Sequence, residues 1–592
     1  MKLLRLKLNS DFRSLQAGFE IYFLRDFDKA KLWDFMPYCL VGRNGSGKSN
    51  ILEALAAIFY HIECIYLDYK PEGFEGEGDF NHIHTDGFFP EQCTPDAFEL
   101  EYLFLIEDGL YNPTLAKQNF GEDKEKYNAH IVIEKKANQA PVIKWENRHS
   151  FADAIEAPIE LNRVVAKRFL PKYVIGYSSG ENEILSLPFF KMRFIHYDEY
   201  EDSLRNETGY SQPEGRLVYF DTSHSQAVFL TNFLMQEEAI LQPVFNAIGV
   251  KSIKQFRIII RQGVPIAKFK TEDGTSALTP GELEINNFDV FELTYNLQRR
   301  PDAETKDLKA IDKLKSCATT QFFDSENKVL YLDYFIDKAG ELKKAFRANF
   351  EDAFELFRSF QILLTLNLYD VDIKLKQDLY KSGSLYVNET VPILPSDKRI
   401  MRFKDFTIEK ENTRDNILSK SLSDGEHQYL HSMGICLLFK NSNSLFLLDE
   451  PETHFNPDWR AKFISTLRDC LERDESKKRY MRELLITSHS PFIISDSHEE
   501  NVLVFKKDSR KGVVTADRPG FNTFGASVNQ ITLKVFEKHE TIGNLANSVY
   551  TSLYERLEAG EDPDTLINQA NDELGDSVEK VLFVNKALEK KK

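Results

Sequence analysis

A glycine-rich loop, set between a short apolar run and a longer amphipathic stretch, constrains this chain most. The segment CLVGRNGSGKSNILEAL (residues 39–55) carries glycines ahead of Lys48 and Ser49. Backbone N–H groups of such a loop converge on a phosphate, and a helix beginning near Lys48 adds the positive end of its dipole. The Lys48 ammonium can reach the β- and γ-phosphates, and the Ser49 hydroxyl can coordinate Mg²⁺. The pattern predicts that the chain binds a nucleoside triphosphate.

A second motif places two carboxylates at the end of an apolar run. In SLFLLDEPETHFNP (residues 444–457), four apolar residues precede Asp449 and Glu450. A continuous apolar run of this kind is typical of a strand that is buried in a parallel sheet. Sheets of α/β proteins bind ligands at the carboxyl ends of such strands. Asp449 would then belong to the Mg²⁺ shell, and Glu450 would polarise the attacking water as a general base. A solvated acidic loop is the alternative, but the phosphate loop in the same chain favours the catalytic interpretation.

Two further stretches each allow two interpretations. In LSDGEHQYL (residues 422–430), Ser423 and Gly425 precede a helix, which is typical of an anion site. The same residues also predict an ordinary capping box between Ser423 and Glu426. In LLITSHSPFI (residues 484–493), His489 follows an apolar strand. It would either sense the γ-phosphate and orient Glu450, or be an ordinary histidine at a strand end.

The order of these motifs resembles the ABC-type ATPase heads of the RecF, SMC and OLD families, over about residues 1–110 and 400–535. The glycine-rich loop and the LLDEPETHFNP segment are especially similar to the RecF and OLD branch, the AAA-type ATPases of defence systems. The overall pattern, with SLSDGEHQ and a helical C-terminal tail, resembles the ATPase subunits of restriction-associated and Septu or retron anti-phage systems. The resemblance implies ATP and Mg²⁺ as ligands. It also implies a Walker A loop formed by Gly42, Asn44, Gly45, Gly47, Lys48 and Ser49, and a Walker B pair formed by Asp449 and Glu450. The signature motif would be formed by Ser423, Gly425 and Glu426, and His489 would be the switch histidine. Ser49 and Asp449 would hold the metal, and Glu450 and His489 would be catalytic.

The expected fold class is α/β: an ABC-type P-loop ATPase head with a large mixed, mainly helical insert. The predicted organisation assigns residues 1–110 to the N-terminal part of the head, 111–399 to the insert, 400–535 to the C-terminal part of the head and 536–592 to a helical tail. Residues such as Pro280 and Pro301 interrupt any sustained heptad in the insert, so a compact insert is expected rather than a long coiled coil.

Composition narrows the class of protein. A net charge of −18 argues against an evenly basic nucleic-acid binder, but it does not exclude a local basic groove that binds DNA. Six scattered cysteines show neither metal nor disulfide spacing, and no apolar run reaches membrane-spanning length. The interpretation is a cytoplasmic protein without membrane association.

The resemblance also implies how the protein works. In these families the signature motif of one head closes on the nucleotide of another, and this chain has one Walker A loop and one signature. A homodimer or higher oligomer with ATPase activity is therefore expected. About 100 residues follow His489, too few for the nuclease domain of OLD enzymes. The leading hypothesis is an ATP-switched scaffold of an anti-phage complex that controls a separate nuclease effector. The alternative is a RecF-like DNA-repair ATPase acting directly on DNA.

Overall fold

Strands occur along most of the chain in the computed structural model. The structure describes all residues except 25–30, 72–73, 75–77, 80–81, 84–86, 153–158, 181, 206–214, 268–289, 299–307, 337–339, 382–390, 392–393, 412, 473–479, 509, 539–541 and 592. The described strands are β1 (Lys2–Leu8), β2 (Glu20–Tyr22), β3 (Tyr38–Gly42), β4 (Gly78–Asp79), β5 (His82–Ile83), β6 (Phe98–Leu105), β7 (Asn128–Lys135), β8 (Val142–Trp145), β9 (Ile159–Glu160), β10 (Tyr173–Ser178), β11 (Leu217–Tyr219), β12 (Val250–Arg261), β13 (Pro265–Ala267), β14 (Val290–Glu292), β15 (Thr320–Asp324), β16 (Val329–Phe335), β17 (Met401–Lys410), β18 (Ile417–Leu418), β19 (Ser444–Asp449), β20 (Glu483–Ser488), β21 (Val502–Lys507) and β22 (Val514–Asp517).

Helices connect these strands and cover the sheets. Several begin behind an Asn, Asp or Ser whose side chain accepts an N–H of the first turn, which satisfies a donor that the helix leaves open. The described helices are α1 (Lys48–Tyr66), α2 (Pro113–Phe120), α3 (Arg163–Lys167), α4 (Glu183–Arg205), α5 (Ser225–Met235), α6 (Glu238–Ile248), α7 (Ala310–Cys317), α8 (Glu341–Asn349), α9 (Ala353–Thr365), α10 (Ile373–Tyr380), α11 (Asp424–Leu438), α12 (Pro457–Glu472), α13 (Pro491–Ser495), α14 (Val528–Phe536), α15 (Asn544–Glu558), α16 (Pro563–Glu573) and α17 (Val578–Lys591).

A central sheet organises the molecule, with strand order β11-β10-β19-β20-β3-β21-β22. Its neighbouring strands are parallel, apart from β22, which is antiparallel to β21. Every residue of β19 is buried, as expected for a strand covered on both faces. Side chains alternate across the sheet: Leu445 and Leu447 belong to one hydrophobic core, Phe446 and Leu448 to the other. The sheet therefore separates two cores.

Two antiparallel sheets flank this layer. One has the order β2-β1-β6-β7-β8-β9 and the other β15-β16-β12-β17-β18. The first is tied to the central sheet through its N-terminal strand. The Met1 amino group donates to the Met481 carbonyl oxygen over 2.8 Å, and Leu3 N donates to Glu483 Oε2 over 2.7 Å. The start of the chain thus packs beside β20.

The predicted fold class, an α/β head that carries the glycine-rich loop and is interrupted by a large mixed insert, is confirmed. One feature of the insert is more specific than expected. The segment 111–399 supplies β10 and β11 to the central sheet, and β10 pairs directly with β19. The domain boundaries themselves stay a prediction. The C-terminal helices α15, α16 and α17 pack around a small core of their own, formed by residues such as Tyr550, Leu566 and Phe583.

Candidate nucleotide-binding site

Three of the sequence motifs meet at one edge of the central sheet. β3 leads into the glycine-rich loop, β19 ends at Asp449, and β20 ends immediately before His489. These strands are parallel, and β20 lies hydrogen-bonded between the other two. Their carboxyl ends therefore lie side by side, where open α/β sheets bind their ligands. Motifs that are distant in sequence thus form one site.

The loop after β3 needs its glycines. Gly42 has φ 148°, and a Cβ atom built on it would lie 2.4 Å from the carbonyl oxygen of Phe505. Gly45 and Gly47 also have left-handed backbones, with φ of 74° and 93°, which other residues adopt only at a cost. The Ser46 hydroxyl is buried and has no hydrogen-bond partner among the described residues. A phosphate held by this loop would satisfy that hydroxyl, so the loop fits the group that its sequence predicts.

The side chain of Lys48, the first residue of α1, folds back over the start of the loop. Its Nζ atom lies 3.2 Å from the carbonyl oxygens of Gly42 and Arg43, and 2.9 Å from His489 Nε2. Burial lowers the pKa of Lys48, and the nearby carboxylates oppose that shift. A further anion beside the ammonium would favour its charged form still more. Asn44 of the same loop is exposed and so accessible to a ligand.

Asp449 is buried and accepts hydrogen bonds from three directions. Ser49 Oγ donates to its Oδ1 over 2.8 Å, and Thr487 Oγ1 donates to the same atom over 2.7 Å. Asn182 Nδ2 donates to its Oδ2 over 2.9 Å. A Mg²⁺ ion in a nucleotide site takes one or two carboxylates and otherwise waters and phosphates. Asp449 with the Ser49 hydroxyl fits that donor set.

Asn182 is a site residue that the sequence did not reveal. From the sequence, its segment VIGYSSGENE (residues 174–183) resembles a strand-to-loop ligand turn but could equally be a plain turn, so it carries no assignment. In the structure β10 neighbours β19, so the loop after β10 reaches Asp449. Asn182 Oδ1 also accepts the N–H of Leu185, which fixes the amide with its nitrogen towards the carboxylate. The available signal was a polar residue just beyond an apolar strand, too common to single out.

Glu450 has an unusual backbone. Its φ of 48° lies in the left-handed region, which a non-glycine residue enters only under local constraint. Its N–H donates to Thr487 Oγ1 over 2.9 Å, and its carbonyl accepts a bond of the same length from Thr453 Oγ1. These two bonds hold the turn that directs the chain away from β19.

The Glu450 side chain lies next to His489. Its Oε1 atom is 3.2 Å from His489 Nε2. The hydrogen bond from His489 lowers the pKa of Glu450, and the charges of His489 and Lys48 act in the same direction against burial. Glu450 is therefore ionised at neutral pH, the state that a proton acceptor needs.

Glu452 is another residue near the candidate site that the sequence motifs did not indicate. It is buried, and burial raises its pKa to about 7. The Ser488 hydroxyl donates to its Oε1 atom, while Oε2 has no hydrogen-bond partner among the described residues. Glu452 thus titrates near neutral pH beside the end of β20.

The signature residues form the start of α11. Glu426 N donates to Ser423 Oγ over 3.3 Å, and Ser423 N donates to Glu426 Oε2 over 2.9 Å, so the capping box is present. Lys410 pairs with Glu426. A Cβ atom on Gly425 would lie 2.6 Å from the His454 carbonyl oxygen, so this glycine permits close packing against the loop after β19. The described side-chain bonds of Ser423 and Glu426 thus run to each other and to Lys410, not to Lys48 or Asp449.

The N-terminal segment DFRSL, residues 11–15, packs on the start of α1. Ser14 Oγ donates to Asn50 Oδ1 over 2.5 Å, and its N–H donates to the same oxygen over 3.3 Å. Arg13 has φ 56° and lies over the ring of Phe12. The segment therefore borders the phosphate loop.

The parallel sheet and the glycine-rich loop at its carboxyl edge have the arrangement of a P-loop nucleotide-binding fold. A family model described as "AAA domain, putative AbiEii toxin, Type IV TA system" matches residues 280–495, just over a third of the chain. The match includes Ser423, Asp449, Glu450 and His489. The glycine-rich loop lies outside it.

The similarities to individual proteins are weaker than the match to the family model. The chain is 29% identical to Protein ea59 of Escherichia phage lambda over 93 residues, which is 16% of the length of each protein. Three solved structures are also similar, at low TM-scores. A structure of the SmcHead bound to the C-winged helix domain of ScpA has 11% identity and a TM-score of 0.32, covering 87% of this chain and 97% of that chain.

The other two are Smc head domains. The one with an extended coiled coil, bound to the C-terminal domain of ScpA from Pyrococcus furiosus, has 12% identity and a TM-score of 0.29. It covers 87% of this chain and 95% of that chain. The one with a coiled coil and joint from Pyrococcus yayanosii has 13% identity and a TM-score of 0.28, covering 87% and 96%. The fold assignment therefore rests on the strand order above rather than on these likenesses.

Two kinds of feature are absent from the part of the chain that the structure describes. No described helix combines the length and apolar character needed to cross a membrane. No group of three or more His, Cys, Asp and Glu side chains in the described part of the chain is arranged to hold a metal ion.

Proposed function

We propose that this chain binds ATP with Mg²⁺ and hydrolyses it at the carboxyl edge of the central sheet. One observation carries the proposal. Lys48, Glu450 and His489 come from three separate strand ends, yet His489 Nε2 lies 2.9 Å from the lysine nitrogen and 3.2 Å from the glutamate oxygen. A cation, a carboxylate and an imidazole beside a phosphate loop are the groups that phosphoryl transfer to water requires.

The loop and its neighbours would hold the nucleotide. Backbone N–H groups of the loop at Gly42, Asn44, Gly45 and Gly47 would surround the phosphates, with the Lys48 ammonium beside them. Ser49 and Asp449 would hold Mg²⁺. When bound, the ion neutralises charge on the phosphate oxygens.

Glu450 would act as the general base. It is ionised at neutral pH, and its backbone is fixed by Thr487 and Thr453. The carboxylate would take the proton of the attacking water, while the His489 imidazole holds the carboxylate in place. Lys48 would stabilise the negative charge that develops on the transferred group.

A second copy of the chain would complete the site. Ser423, Gly425 and Glu426 begin a fifteen-residue helix, α11, whose N-terminus favours anions. Within one chain these residues are bonded to each other and to Lys410, so the proposed role requires the signature of one protomer to face the phosphate loop of its partner. This arrangement predicts a homodimer or a higher oligomer.

For the role in the cell, we favour an ATP-switched subunit of an anti-phage defence complex that controls a separate nuclease. Two things support this choice. The family model that matches residues 280–495 is described by a putative toxin of a toxin–antitoxin system. The order of the motifs also resembles that of defence ATPases. A RecF-like repair ATPase that acts directly on DNA is the second candidate, because the order of the motifs resembles that of RecF heads as well.

One experiment tests both levels of the proposal. The chain is purified alone and together with the products of its neighbouring genes, and ATP turnover and DNA cleavage are measured with and without ATP. The defence proposal expects cleavage only in the joint preparation, with a rate that depends on ATP. ATP turnover that is stimulated by DNA in the chain alone, with no cleaving partner, would favour the repair ATPase. No ATP turnover under any condition would contradict the enzymatic proposal itself.

A further inference from the structure

A second cavity lies apart from the nucleotide site, between α4, α7, α9 and β11; we call it the α4/α9 cavity. Its volume is about 240 Å³. None of the described residues that line it belongs to the phosphate loop or to the acidic end of β19. The cavity is therefore a separate place for a ligand.

The lining of this cavity is strongly cationic. Arg193, Lys309, Lys313 and Arg358 line it, and Glu355 is the one carboxylate among its described lining residues. The whole chain carries a net charge of −18, so composition alone does not produce this cluster. Guanidinium and ammonium groups that converge on a partly closed space favour an anion, most of all a phosphate, which accepts several charge-assisted hydrogen bonds.

Aromatic rings form another part of the lining. Tyr197, Tyr200, Tyr219 and Phe354 contribute to it, beside aliphatic residues of α9 and β11. Rings of this kind stack on a planar ligand at centroid separations of about 4.5–7 Å. A cavity that combines cations with aromatic surface suits a molecule that has an anionic group and a flat ring.

His196 supplies an unsatisfied polar atom to the same cavity. Its Nε2 atom is buried and has no hydrogen-bond partner among the described residues. Burial, helped by the charge of Arg358, lowers the pKa of His196 to about 4, so the ring is neutral at pH 7. A buried polar atom without a partner destabilises the fold, because it has lost its hydrogen bonds to water. A ligand that hydrogen-bonds this nitrogen would recover part of that free energy.

We propose that the α4/α9 cavity binds a small phosphorylated compound with a planar ring, of the size of a nucleoside monophosphate. Its phosphate lies among Arg193, Lys313 and Arg358, and its ring lies against the tyrosines. This site goes beyond the proposed ATPase function, because it is distinct from the phosphate loop and needs none of its residues.

The cavity is connected to the helix that carries the signature residues. Arg193 NH1 donates to Asp221 Oδ2 over 2.7 Å, and Asp221 Oδ1 lies 2.9 Å from His224 Nδ1. The next residue, Ser225, is hydrogen-bonded through Oγ to Nδ1 of His431 on α11, at 2.5 Å. A ligand that competes with Asp221 for Arg193 therefore acts on a chain of contacts that ends on α11.

Calorimetry on the 592-residue chain tests the proposal. The Lys48→Ala background keeps the phosphate loop from contributing to the signal. AMP, GMP, CMP and UMP are titrated separately, with adenosine and inorganic phosphate as probes of the two halves of the ligand. We expect at least one monophosphate to bind, and both partial ligands to bind more weakly by tenfold or more, since each lacks one set of contacts.

A matched pair of lysine variants locates the binding. Lys313 is paired with Glu355 and lines the cavity, whereas Lys117 is paired with Glu122 on the surface of α2. Lys313→Gln should raise the dissociation constant by about tenfold or more, the usual effect of losing a hydrogen bond to a charged group. Lys117→Gln should leave it unchanged.

The outcomes are distinct from those that test ATP hydrolysis. Binding of none of the four monophosphates overturns the proposal, and so does an equal dissociation constant in the Lys313→Gln and Lys117→Gln proteins. If Lys313→Gln melts too early to be titrated, Arg358→Gln provides the same comparison with the same expected loss. Binding that survives both cavity variants also overturns it. None of these results depends on whether the chain hydrolyses ATP.

Discussion

Ser49 Oγ donates a 2.8 Å hydrogen bond to Asp449 Oδ1, although 400 residues separate the two along the chain. Ser49 lies in the first turn of α1, and Asp449 ends β19. The bond brings together the two residues proposed to hold Mg²⁺. Because β20 separates β19 from β3 in the sheet, only the position of α1 across the strand ends allows this contact.

Replacing Lys48 should remove tight ATP binding. In Lys48→Ala, no ammonium remains beside the carbonyl oxygens of Gly42 and Arg43. Loss of a hydrogen bond to a charged group, about 1.5–3 kcal/mol, predicts an affinity roughly 10- to 100-fold lower, or worse. Calorimetry with ATP and Mg²⁺ measures this change. Lys462→Ala, which removes an exposed lysine paired with Asp458, is the control and should bind as wild type does. Wild-type affinity in Lys48→Ala would refute the assignment of the loop.

Glu450→Gln should separate binding from hydrolysis. Glutamine keeps the shape of the side chain but cannot accept the proton of water, so turnover should fall by roughly 10²-fold or more while ATP binding survives. Turnover and nucleotide affinity are measured on the same preparation. If the chain is a scaffold, this variant should hold the complex in one state. The activity of the partner nuclease, or its retention on size exclusion with ATP, reports that state. Wild-type turnover would remove Glu450 as the base. Lost turnover with unchanged partner behaviour would count against the scaffold.

Mixing two inactive variants should test the shared site. Ser423→Arg should bind ATP but hydrolyse it poorly, because a bulky cation replaces the residue that caps α11. Lys48→Ala fails at the phosphate loop instead. A mixed dimer contains one site in which both the loop and the signature are intact, so the mixture should recover part of the activity. Subunit exchange is verified first with tagged chains. A mixture no more active than its components would contradict a site shared between protomers.

Asn182→Ala should weaken the response to Mg²⁺. The variant removes the donor that holds Asp449 Oδ2 at 2.9 Å. Loss of a group that orients a metal ligand typically lowers metal affinity by about 10- to 100-fold. The Mg²⁺ concentration that gives half-maximal ATP turnover should rise accordingly. Asn119→Ala, whose amide donates to the Ser150 carbonyl, is the control. An unchanged Mg²⁺ dependence would show that Asn182 does not support the metal site.

Glu452→Gln should stabilise the protein increasingly as pH rises. The folded-state pKa of Glu452, about 7, exceeds the ordinary glutamate value of 4.5, so the folded state binds more protons than the unfolded state between those pH values. Wild-type stability is therefore lost as pH rises through that window, by up to about 3 kcal/mol from this group. Glutamine cannot ionise and still accepts the Ser488 hydroxyl. The difference in unfolding free energy between variant and wild type, from denaturant titrations, should grow from pH 4.5 to 7. A constant difference would contradict the raised pKa.

The local motifs could be predicted because their chemistry is contained in a few consecutive residues. The left-handed glycines at 42, 45 and 47 and the helix starting at Lys48 follow from one short segment, as does the apolar strand ending at Asp449. The capping box at Ser423 is equally local, and the sequence offered it as one of two interpretations. The buried parallel strands could also be anticipated, because near-continuous apolar runs such as residues 445–448 are typical of strands covered on both faces.

Strand order across the central sheet was beyond the sequence, because it depends on packing between segments hundreds of residues apart. That order places β10 beside β19 and so brings Asn182 to Asp449. Burial determines the protonation state of Glu452, because its raised pKa comes from the layers packed around it. Glu450, two residues earlier, has the same kind of side chain but is ionised beside His489. The sequence by itself determined which groups could bind and cleave a triphosphate. Only the tertiary structure decided which of them meet and in which protonation state, because distances and desolvation are properties of the packed chain.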